Sequence, residues 1–301
     1  MSMNNKWTTE QIPDQSGKIV IVTGANSGIG YEATRALAIK GASVIMACRS
    51  LEKGQSAENQ IRAEFPDAQV LLRPLDLADL SSVQQFANTF LSEFDRLDVL
   101  INNAGVMAIP YHKTADGFEM QFGTNHLGHF KLTALLFDLL KRTPNSRIVT
   151  VTSYAHFFGW INFNNLNSER FYQKWLAYCQ SKLANILFGY ELQRRVALGG
   201  KNPLSIVVHP GWAATNLQHS TWFFSLLNPL LSQSQEMGAL PSLYAATSPE
   251  VCGGEYIGPD GFLGQRGYPH KARSSRRSMD LDTAKKLWAI SEEITGIQFD
   301  I

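Results

Sequence analysis

Three features of the sequence predict an α/β fold in which helices flank both faces of a doubly wound, seven-stranded and mostly parallel sheet. Apolar runs rich in β-branched residues recur along the chain, and amphipathic segments lie between them. The runs are continuously apolar rather than alternating, which is typical of strands that helices cover on both faces. A glycine-rich turn joins the first run to the first amphipathic segment, so the chain enters the fold as a strand, a tight turn and a helix.

The predicted strands are short and dominated by Val, Ile and Leu, as buried parallel strands are. Six of them precede residue 212, and a seventh follows a longer excursion of helices and loops. They are KIVIVTG (18–24), ASVIMACR (42–49), AQVLLRPLDL (68–77), LDVLINNAG (97–105), RIVTVTS (147–153), LSIVVHPG (204–211) and GGEYIG (253–258).

Helical patterns fill the intervals, and several of them end at Gly or before Pro, as helices commonly do. The alternation of strands with helices is the pattern of a parallel sheet with crossover connections. The predicted helical segments are YEATRALAIKG (31–41), DLSSVQQFANTFLSEF (79–94), GFEMQFGTNHLGHFKLTALLFDLLKR (117–142) and YQKWLAYCQSKLANILFGYELQRR (172–195).

The chain is predicted to form one domain, because it contains no internal repeat and no linker rich in Pro, Gly or Ser. Residues 1–17 form an N-terminal arm, and residues 18–301 form the domain. Within the domain, a segment at about 212–240 is expected to act as a substrate lid, and residues from about 259 to 301 form a C-terminal extension.

Composition excludes several classes of protein. The chain of 301 residues is 44% hydrophobic and carries a formal net charge of +1, so we expect no nucleic-acid partner and no electrostatic attraction to a membrane. The basic run HKARSSRR (270–277) is expected to be a solvated face. The three cysteines lack paired short spacings, which argues against a disulfide framework or a metal site and favours a reducing compartment.

No targeting or membrane-spanning signal is evident in the sequence. The first 18 residues lack a charged segment followed by an apolar one, so they do not have the pattern of a secretory signal. The longest apolar window, WFFSLLNPLL (222–231), contains a proline and is far shorter than the ~20 residues of a spanning helix. We therefore expect a cytoplasmic protein without a transmembrane segment.

The turn TGANSGIG after the first strand predicts a dinucleotide site of the Rossmann type. Glycine permits a tight turn and a close approach to a pyrophosphate, and the N–H groups at the start of the next helix favour an anion. A tight turn without a ligand is the alternative. The candidate contacts in the turn are Gly24, Asn26, Ser27, Gly28, Ile29 and Gly30.

The end of the second strand discriminates between the two nicotinamide cofactors. An acidic residue there accepts from the ribose 2′-hydroxyl and would repel a 2′-phosphate. This chain instead has Arg49 and Ser50, a guanidinium and a hydroxyl that suit a phosphate. The sequence therefore predicts NADP(H) in preference to NAD(H), unless Arg49 is simply a surface arginine.

Tyr178 and Lys182 are four residues apart on one face of a predicted helix. Either side chain could face water. If both face a cleft, they provide a proton donor and a cation that tunes it.

The order of these motifs resembles the short-chain dehydrogenase/reductase family over nearly the whole chain. The shared motifs are TGANSGIG, NNAG at 102–105, Tyr-Cys-Gln-Ser-Lys at 178–182 and Pro-Gly at 210–211. INNAG, NHLGHFKLT and GPDGFLGQRGYP look most like the branch of retinol dehydrogenases, protochlorophyllide reductases and WW-domain oxidoreductases, although no WW domain is present.

The resemblance implies a catalytic tetrad of Asn125, Ser153, Tyr178 and Lys182. Carbonyl reduction by hydride leaves an oxygen that needs a proton, and a phenol can supply it. Because the pKa of tyrosine is ordinarily about 10, the Lys182 ammonium and an oxidised nicotinamide are expected to lower it. Ser153 is expected to donate to the substrate oxygen, with capping of a turn as its alternative, and Asn125 to hold a water that links Lys182 to solvent.

Further cofactor contacts are implied by the same resemblance. They lie after the third, fourth and sixth strands, where the carboxyl ends of parallel strands meet. They are Asp76 and Leu77 near the adenine, Asn103, Ala104 and Gly105 near the ribose, and Pro210, Gly211 and Thr215 near the nicotinamide and its phosphate. His126, His129 and His209 lack ligand-spaced partners, so we interpret them as packing or surface residues.

The expected activity is NADP(H)-dependent interconversion of a lipophilic aldehyde or ketone and its alcohol. Two aromatic stretches, SYAHFFGWINF (153–163) and QHSTWFFSLLNPLL (218–231), border the presumed cleft and would favour apolar substrates. They could instead be core or an oligomer interface. Reduction of an activated C=C bond and dinucleotide sensing without chemistry stay open as alternatives. The family habit implies a homodimer or homotetramer, although the C-terminal extension could block one interface.

Overall fold

A computed structural model describes residues 6–200, 202–212 and 233–301. Its strands form one sheet in the order β3-β2-β1-β4-β5-β6-β7-β8. Strands β1 to β7 are mutually parallel, and β8 pairs antiparallel with β7 at the edge. The strands are β1 Ile19–Thr23, β2 Ser43–Cys48, β3 Val70–Pro74, β4 Val99–Asn102, β5 Arg147–Val151, β6 Leu204–Val208, β7 Tyr256–Pro259 and β8 Pro269–Lys271.

Helices connect the strands and cover the sheet. The described helices are α1 Gly28–Ile39, α2 Leu51–Glu64, α3 Leu80–Glu93, α4 Met120–Phe122, α5 Gly128–Arg142, α6 Lys174–Gly199, α7 Gln235–Thr247 and α8 Leu281–Thr295. A π-helical segment, Gly123–Leu127, joins α4 to α5. Short 3₁₀ turns occur at Thr9–Gln11, Tyr154–Phe158, Phe262–Gly264 and Arg276–Met279.

Two apolar layers sandwich the sheet, which is why its strands lack alternating polarity. Along β1, Val20 and Val22 pack in the layer that contains Leu37 of α1. Ile21 points to the other layer, where Phe188 of α6 is buried. This arrangement confirms the prediction of a doubly wound α/β domain.

Within the described residues the sheet has eight strands, one more than the seven predicted. The additional strand, β8, lies within the predicted C-terminal extension and has the sequence Pro-His-Lys. Three residues with two exposed side chains give no apolar signal, because an edge strand buries little surface. It forms when the chain turns back after β7 and pairs Gly258 with His270.

Part of the predicted substrate lid, residues 213–232, lies outside the described residues. The second aromatic stretch, residues 218–231, lies entirely in that range. Among the helices that are described, none has both the length and the apolar character needed to cross a bilayer.

The strand order fixes where a site can form. The chain winds outward from β1 in one direction to β3 and then in the other direction from β4, so the order reverses between β1 and β4. At such a point the loops at the carboxyl ends of the strands diverge and leave a crevice. The loops after β1, β4, β5 and β6 therefore gather at one edge.

Candidate active site

The glycine turn after β1 is shaped for close approach. Gly24 and Gly28 have φ values of +68° and +59°, which L side chains rarely adopt. A Cβ on Gly30 would lie 2.4 Å from the Gly24 carbonyl oxygen, so only glycine fits. The N-cap residue of α1, Ser27, makes no side-chain hydrogen bond to the helix. The first N–H groups of α1 thus remain available to an anion, and the turn fits a dinucleotide pyrophosphate.

The turn also rests on a residue that sequence reasoning missed. The Cys48 thiol, at the end of β2, lies beside the backbone N–H groups of Ala25 and Asn26 in the turn. Burial raises the pKa of the Cys48 thiol to about 11, so the sulfur stays neutral and acts as a weak acceptor. Nothing in the local sequence signals this contact, because it joins two strands.

Arg49 and Ser50 lie beside the turn, at the end of β2. The Arg49 side chain is exposed and has no hydrogen bond or ion pair with the described part of the chain. Ser50 is the N-cap of α2 and accepts from the N–H of Lys53 at 3.3 Å. Arg49 is therefore free to reach a phosphate, while the Ser50 hydroxyl already has a capping role.

The NNAG turn after β4 is fastened to the end of β1. The N–H groups of Asn103 and Ala104 donate to the Thr23 hydroxyl at 2.9 and 3.0 Å. The Asn103 side chain donates to the Thr23 carbonyl at 2.9 Å. These bonds hold the predicted ribose contacts beside the glycine turn.

Tyr178 and Lys182 face the interior of the protein. They are 7% and 5% exposed, which rules out the alternative that either simply faces water. The Lys182 nitrogen lies 5.8 Å from the centre of the Tyr178 ring and donates to the Val151 carbonyl at 3.3 Å. The Ser153 hydroxyl lies beside Tyr178 and favours the charged form of its phenol. Three of the four predicted tetrad members thus meet after β5.

The predicted lowering of the Tyr178 pKa depends on an oxidised nicotinamide as well as on Lys182, and it stays a prediction. Burial dominates the electrostatics of the pair itself. Burial raises the pKa of Tyr178 to about 12, and the neighbouring Ser153 hydroxyl opposes this only in part. Burial also lowers the pKa of Lys182 to about 8, because removal from water disfavours both charged forms. The phenol is therefore protonated near neutral pH.

Ser153 has the capping role that was its alternative, while its donation to a substrate oxygen stays a prediction. It is the N-cap of the 3₁₀ turn and accepts from the N–H of Ala155 at 3.2 Å. A buried histidine holds its backbone: His156 Nδ1 lies 2.7 Å from the Ser153 carbonyl. The other ring nitrogen accepts from the N–H of Ser275 at 3.2 Å. The C-terminal extension thereby contacts the 3₁₀ turn that follows Ser153.

Asn125 lies in the π-helical segment, a feature often found at functional sites. Its side chain accepts from the N–H of Val106 at 2.8 Å and donates to the Val106 carbonyl and the Ser181 hydroxyl, both at 2.9 Å. A Cβ on Gly105 would lie 3.0 Å from the Asn125 oxygen and 3.5 Å from the Lys182 nitrogen. Asn125 therefore lies near Lys182, and Gly105 adjoins both side chains.

The remaining predicted contacts lie in loops. Strand β3 ends at Pro74, so Asp76 and Leu77 follow the strand rather than ending it. Asp76 accepts from the N–H of Ala78 at 2.9 Å, and Leu77 is buried.

After β6, the Pro210 carbonyl accepts from Gln233 at 2.7 Å. Gly211 has a φ of +67°. Thr215 lies outside the described residues.

The predicted packing histidines His126 and His209 are buried. His126 Nε2 lies 2.9 Å from the Ser291 hydroxyl in α8, and His209 stacks on Tyr256 with ring centres 5.4 Å apart. Across the described ranges, no group of three His, Cys, Asp or Glu side chains is close enough to bind a metal ion.

Comparison with known proteins agrees with this geometry. The profile of the family described as short chain dehydrogenase matches residues 18–222. Human retinol dehydrogenase 11 is 45% identical over 299 residues, covering 97% of this chain and 89% of the relative. Human retinol dehydrogenase 14 is 44% identical over 303 residues, covering 93% and 87%.

Solved structures are similar in fold. A crystal structure of an uncharacterised protein from Mycobacterium paratuberculosis has a TM-score of 0.83 and 43% identity, covering 98% of this chain and 100% of that one. A protein described as a short-chain dehydrogenase from Shigella flexneri, solved in complex with NADP, has a TM-score of 0.66 and 23% identity, covering 82% and 98%.

Proposed function

The chain belongs to the short-chain dehydrogenase family and is an oxidoreductase close to the retinol dehydrogenases, and from this premise we propose that it uses NADP(H) to interconvert a lipophilic aldehyde or ketone and its alcohol. One observation carries the proposal. The buried Tyr178 and Lys182 and the half-buried Ser153 lie together at the sheet edge that also holds the glycine turn. Such a set can exchange a proton with a substrate oxygen next to a bound dinucleotide.

Tyr178 acts as the proton donor in the direction of reduction. A bound nicotinamide supplies the hydride in this direction and accepts it in the reverse one. The carbonyl oxygen that gains negative charge takes a proton from the Tyr178 phenol, which its raised pKa keeps protonated near neutral pH. Ser153 donates to the same oxygen and stabilises the developing charge.

Lys182 supports the return of the proton. In alcohol oxidation, the Tyr178 oxygen must accept a proton, and a nearby cation favours the phenolate that does so. The Lys182 nitrogen is close enough to the ring to act in this way. With a pKa of about 8, it can also gain and lose a proton near neutral pH. The positive charge of an oxidised nicotinamide would add to the effect of Lys182 on the pKa of the Tyr178 phenol.

Aromatic side chains close to Ser153 and Tyr178 in the chain favour an apolar substrate. Phe158 and Trp160, which follow Ser153 in the chain, are 65% and 46% exposed. The half-buried Trp175 ring lies 6.5 Å from the Tyr178 ring, one helical turn before it. These side chains offer apolar contact to a substrate that reaches Tyr178.

A substrate screen with purified protein tests the proposal. Oxidation of NADPH is followed by absorbance with retinoid-like aldehydes, long-chain aldehydes and ketones, small polar sugars, and compounds with a conjugated C=C bond. We expect turnover of the lipophilic carbonyl compounds, with NADPH preferred over NADH. Faster turnover of sugars would contradict the substrate class, and turnover only of the C=C compounds would contradict the reaction.

A further inference from the structure

His129 lies between the end of β1 and the catalytic amide. Its ring is 1% exposed. Nδ1 lies 3.0 Å from the backbone carbonyl oxygen of Asn125, and Nε2 lies 2.9 Å from the Thr23 hydroxyl. The residue is thus fixed at both ring nitrogens, unlike an ordinary packing histidine.

The partners determine the direction of both hydrogen bonds. A carbonyl oxygen can only accept, so Nδ1 carries the hydrogen that faces Asn125. The ring is neutral, because burial lowers the His129 pKa to about 4, and therefore Nε2 has no hydrogen and accepts from Thr23. The Thr23 hydroxyl has one hydrogen to donate, and His129 Nε2 at 2.9 Å is a closer acceptor for it than the Ile101 carbonyl at 3.4 Å. The N–H groups of Asn103 and Ala104 occupy the same oxygen as an acceptor.

One continuous chain of hydrogen bonds follows from these assignments. It runs from the NNAG turn, through the Thr23 hydroxyl and the His129 ring, to the backbone of Asn125. The Asn125 side chain then continues it to Val106 and to Ser181. These hydrogen bonds join residues about 80 and 106 positions apart in the sequence. They therefore set the distance between the NNAG turn and the segment around Asn125, which no local structure would fix.

We propose that His129 is a positioning residue that holds Asn125 in register with the dinucleotide-binding turns. This proposal rests on the proposed function, since it assigns His129 a part in the same site. His129 does not touch the reacting atoms. It acts through Thr23 on the turn that contacts the dinucleotide and through Asn125 on the residues around Lys182.

Three substitutions separate the two hydrogen bonds. His129→Asn keeps a donor at the position of Nδ1, and His129→Gln keeps an acceptor at the position of Nε2, whereas His129→Leu removes both. We expect His129→Leu to lower kcat by about tenfold to hundredfold, the effect of losing buried hydrogen bonds, with little change in the substrate KM. It should also weaken NADPH binding in a fluorescence titration. His129→Asn should recover most of kcat, and His129→Gln most of the NADPH affinity.

His126 provides the matched control. It is buried three residues earlier, and it hydrogen-bonds Ser291 in α8 rather than the site. His126→Leu should lower the melting temperature while kcat and NADPH affinity of the folded enzyme stay within about twofold of wild type. If the His129 variants behaved in the same way as His126→Leu, the proposed role would be wrong.

The imidazole tautomer gives a readout that does not depend on activity. In ¹⁵N-histidine-labelled protein, the His129 ring should show a protonated Nδ1 and an unprotonated Nε2. The opposite tautomer, or a ring that titrates near neutral pH, would overturn the inference. If wild type reduced no carbonyl compound, the proposed function would fail, but the tautomer and the NADPH titrations would still decide the role of His129.

Discussion

At the residue scale, the Lys182 side chain shows how the site affects stability. The ammonium is almost fully buried, and the hydrogen bond to Val151 is 3.3 Å long. Because the pKa of Lys182 is lowered to about 8 in the folded protein from its ordinary 10.5, the unfolded chain binds the proton more tightly. The buried charge therefore reduces stability below about pH 8, and this penalty disappears as the pH rises from 8 toward 10.5.

Replacing Lys182 with methionine is expected to stabilise the protein and abolish its activity. At pH 7 the free energy of unfolding should rise by up to roughly 3 kcal/mol, because about 1.4 kcal/mol corresponds to each unit of pKa difference. The gain should shrink by pH 10, where the folded wild type no longer holds the charge. Denaturant unfolding of the dinucleotide-free protein at both pH values measures this. A Lys182→Met protein less stable than wild type at pH 7 would contradict the account.

Arg49 is expected to determine cofactor preference. Its exposed side chain has no partner in the described part of the chain and stands where a 2′-phosphate is recognised. Arg49→Asp should lower the ratio of kcat/KM for NADPH to that for NADH by about tenfold to hundredfold, the range of a charge-assisted hydrogen bond. Arg142, an exposed arginine at the far end of α5, provides the control. If the ratio were unchanged in Arg49→Asp, the proposed contact between Arg49 and the 2′-phosphate would be wrong.

The sequence was sufficient to predict that Ser153, Tyr178 and Lys182 lie together, but it did not predict the residues that hold them, and the catalytic roles of the three stay a prediction. Tyr178 and Lys182 share a helix face, and Ser153 follows a strand, so local spacing was sufficient. Thr23 and His129 act across more than 100 residues of sequence, and periodicity carries no signal for such a contact. The raised pKa of Tyr178 also depends on burial in the folded protein, which the helical spacing alone did not show.

At the element scale, the long helix predicted over residues 117–142 is interrupted. The sequence from 117 to 142 has continuous helical periodicity, yet residues 123–127 form a π-helical segment. Glycines at its two boundaries allow close packing: a Cβ on Gly128 would lie 2.4 Å from the Leu77 carbonyl oxygen. Periodicity did not reveal the extra residue per turn, because the apolar face continues through it.

Alanine substitutions at two helical glycines test this packing. Gly128→Ala should destabilise the protein by about 1–3 kcal/mol, because its methyl group meets rigid backbone. Gly54→Ala in α2 meets the end of the Leu72 side chain at a similar distance, and that side chain can move. Its effect should be smaller, since alanine also favours a helix by about 1 kcal/mol. Denaturant unfolding measures the free energy of unfolding of both variants. Equal losses of stability in Gly128→Ala and Gly54→Ala would contradict the difference predicted between them.

Helix α2 was absent from the prediction for a physical reason. It spans Leu51–Glu64 and buries only Gly54, Ala57 and Ile61, so its apolar face is too narrow to stand out. Its N-cap, Ser50, was interpreted only as a phosphate contact. A capping signal and the need for a crossover between β2 and β3 would have identified the helix.

At the scale of the whole molecule, the C-terminal extension completes the core. Helix α8 packs against α6, and Trp288 is 2% exposed. The Trp288 ring lies 4.8 to 5.8 Å from the rings of Phe130, Phe188 and Phe299. The extension therefore covers the outer face of α5 and α6. The sequence predicted the sheet correctly. It did not predict that the extension covers these two helices, because that packing depends on contacts between segments far apart in the chain.

Trp288 is expected to be essential for the stability of the whole fold. Trp288→Ala should cost about 3–5 kcal/mol, the range for removing a large buried aromatic side chain. Leu281→Ala, at the exposed start of the same helix, should change stability by less than about 0.5 kcal/mol. Denaturant unfolding of both variants tests this. A near-neutral Trp288→Ala would show that α8 is dispensable.

The assignment of Tyr178 as proton donor is tested most directly by carbonyl reduction in Tyr178→Phe, with NADPH affinity measured separately by fluorescence. Tyr172→Phe is the matched control, because burial also raises the pKa of Tyr172 to about 12, yet its hydroxyl donates to Ile109 at 2.6 Å, outside the site. We predict that Tyr178→Phe lowers kcat by about 10²- to 10⁴-fold with NADPH affinity unchanged, and that Tyr172→Phe keeps its activity. A Tyr178→Phe enzyme that binds NADPH and retains kcat within a few fold of wild type would contradict the account.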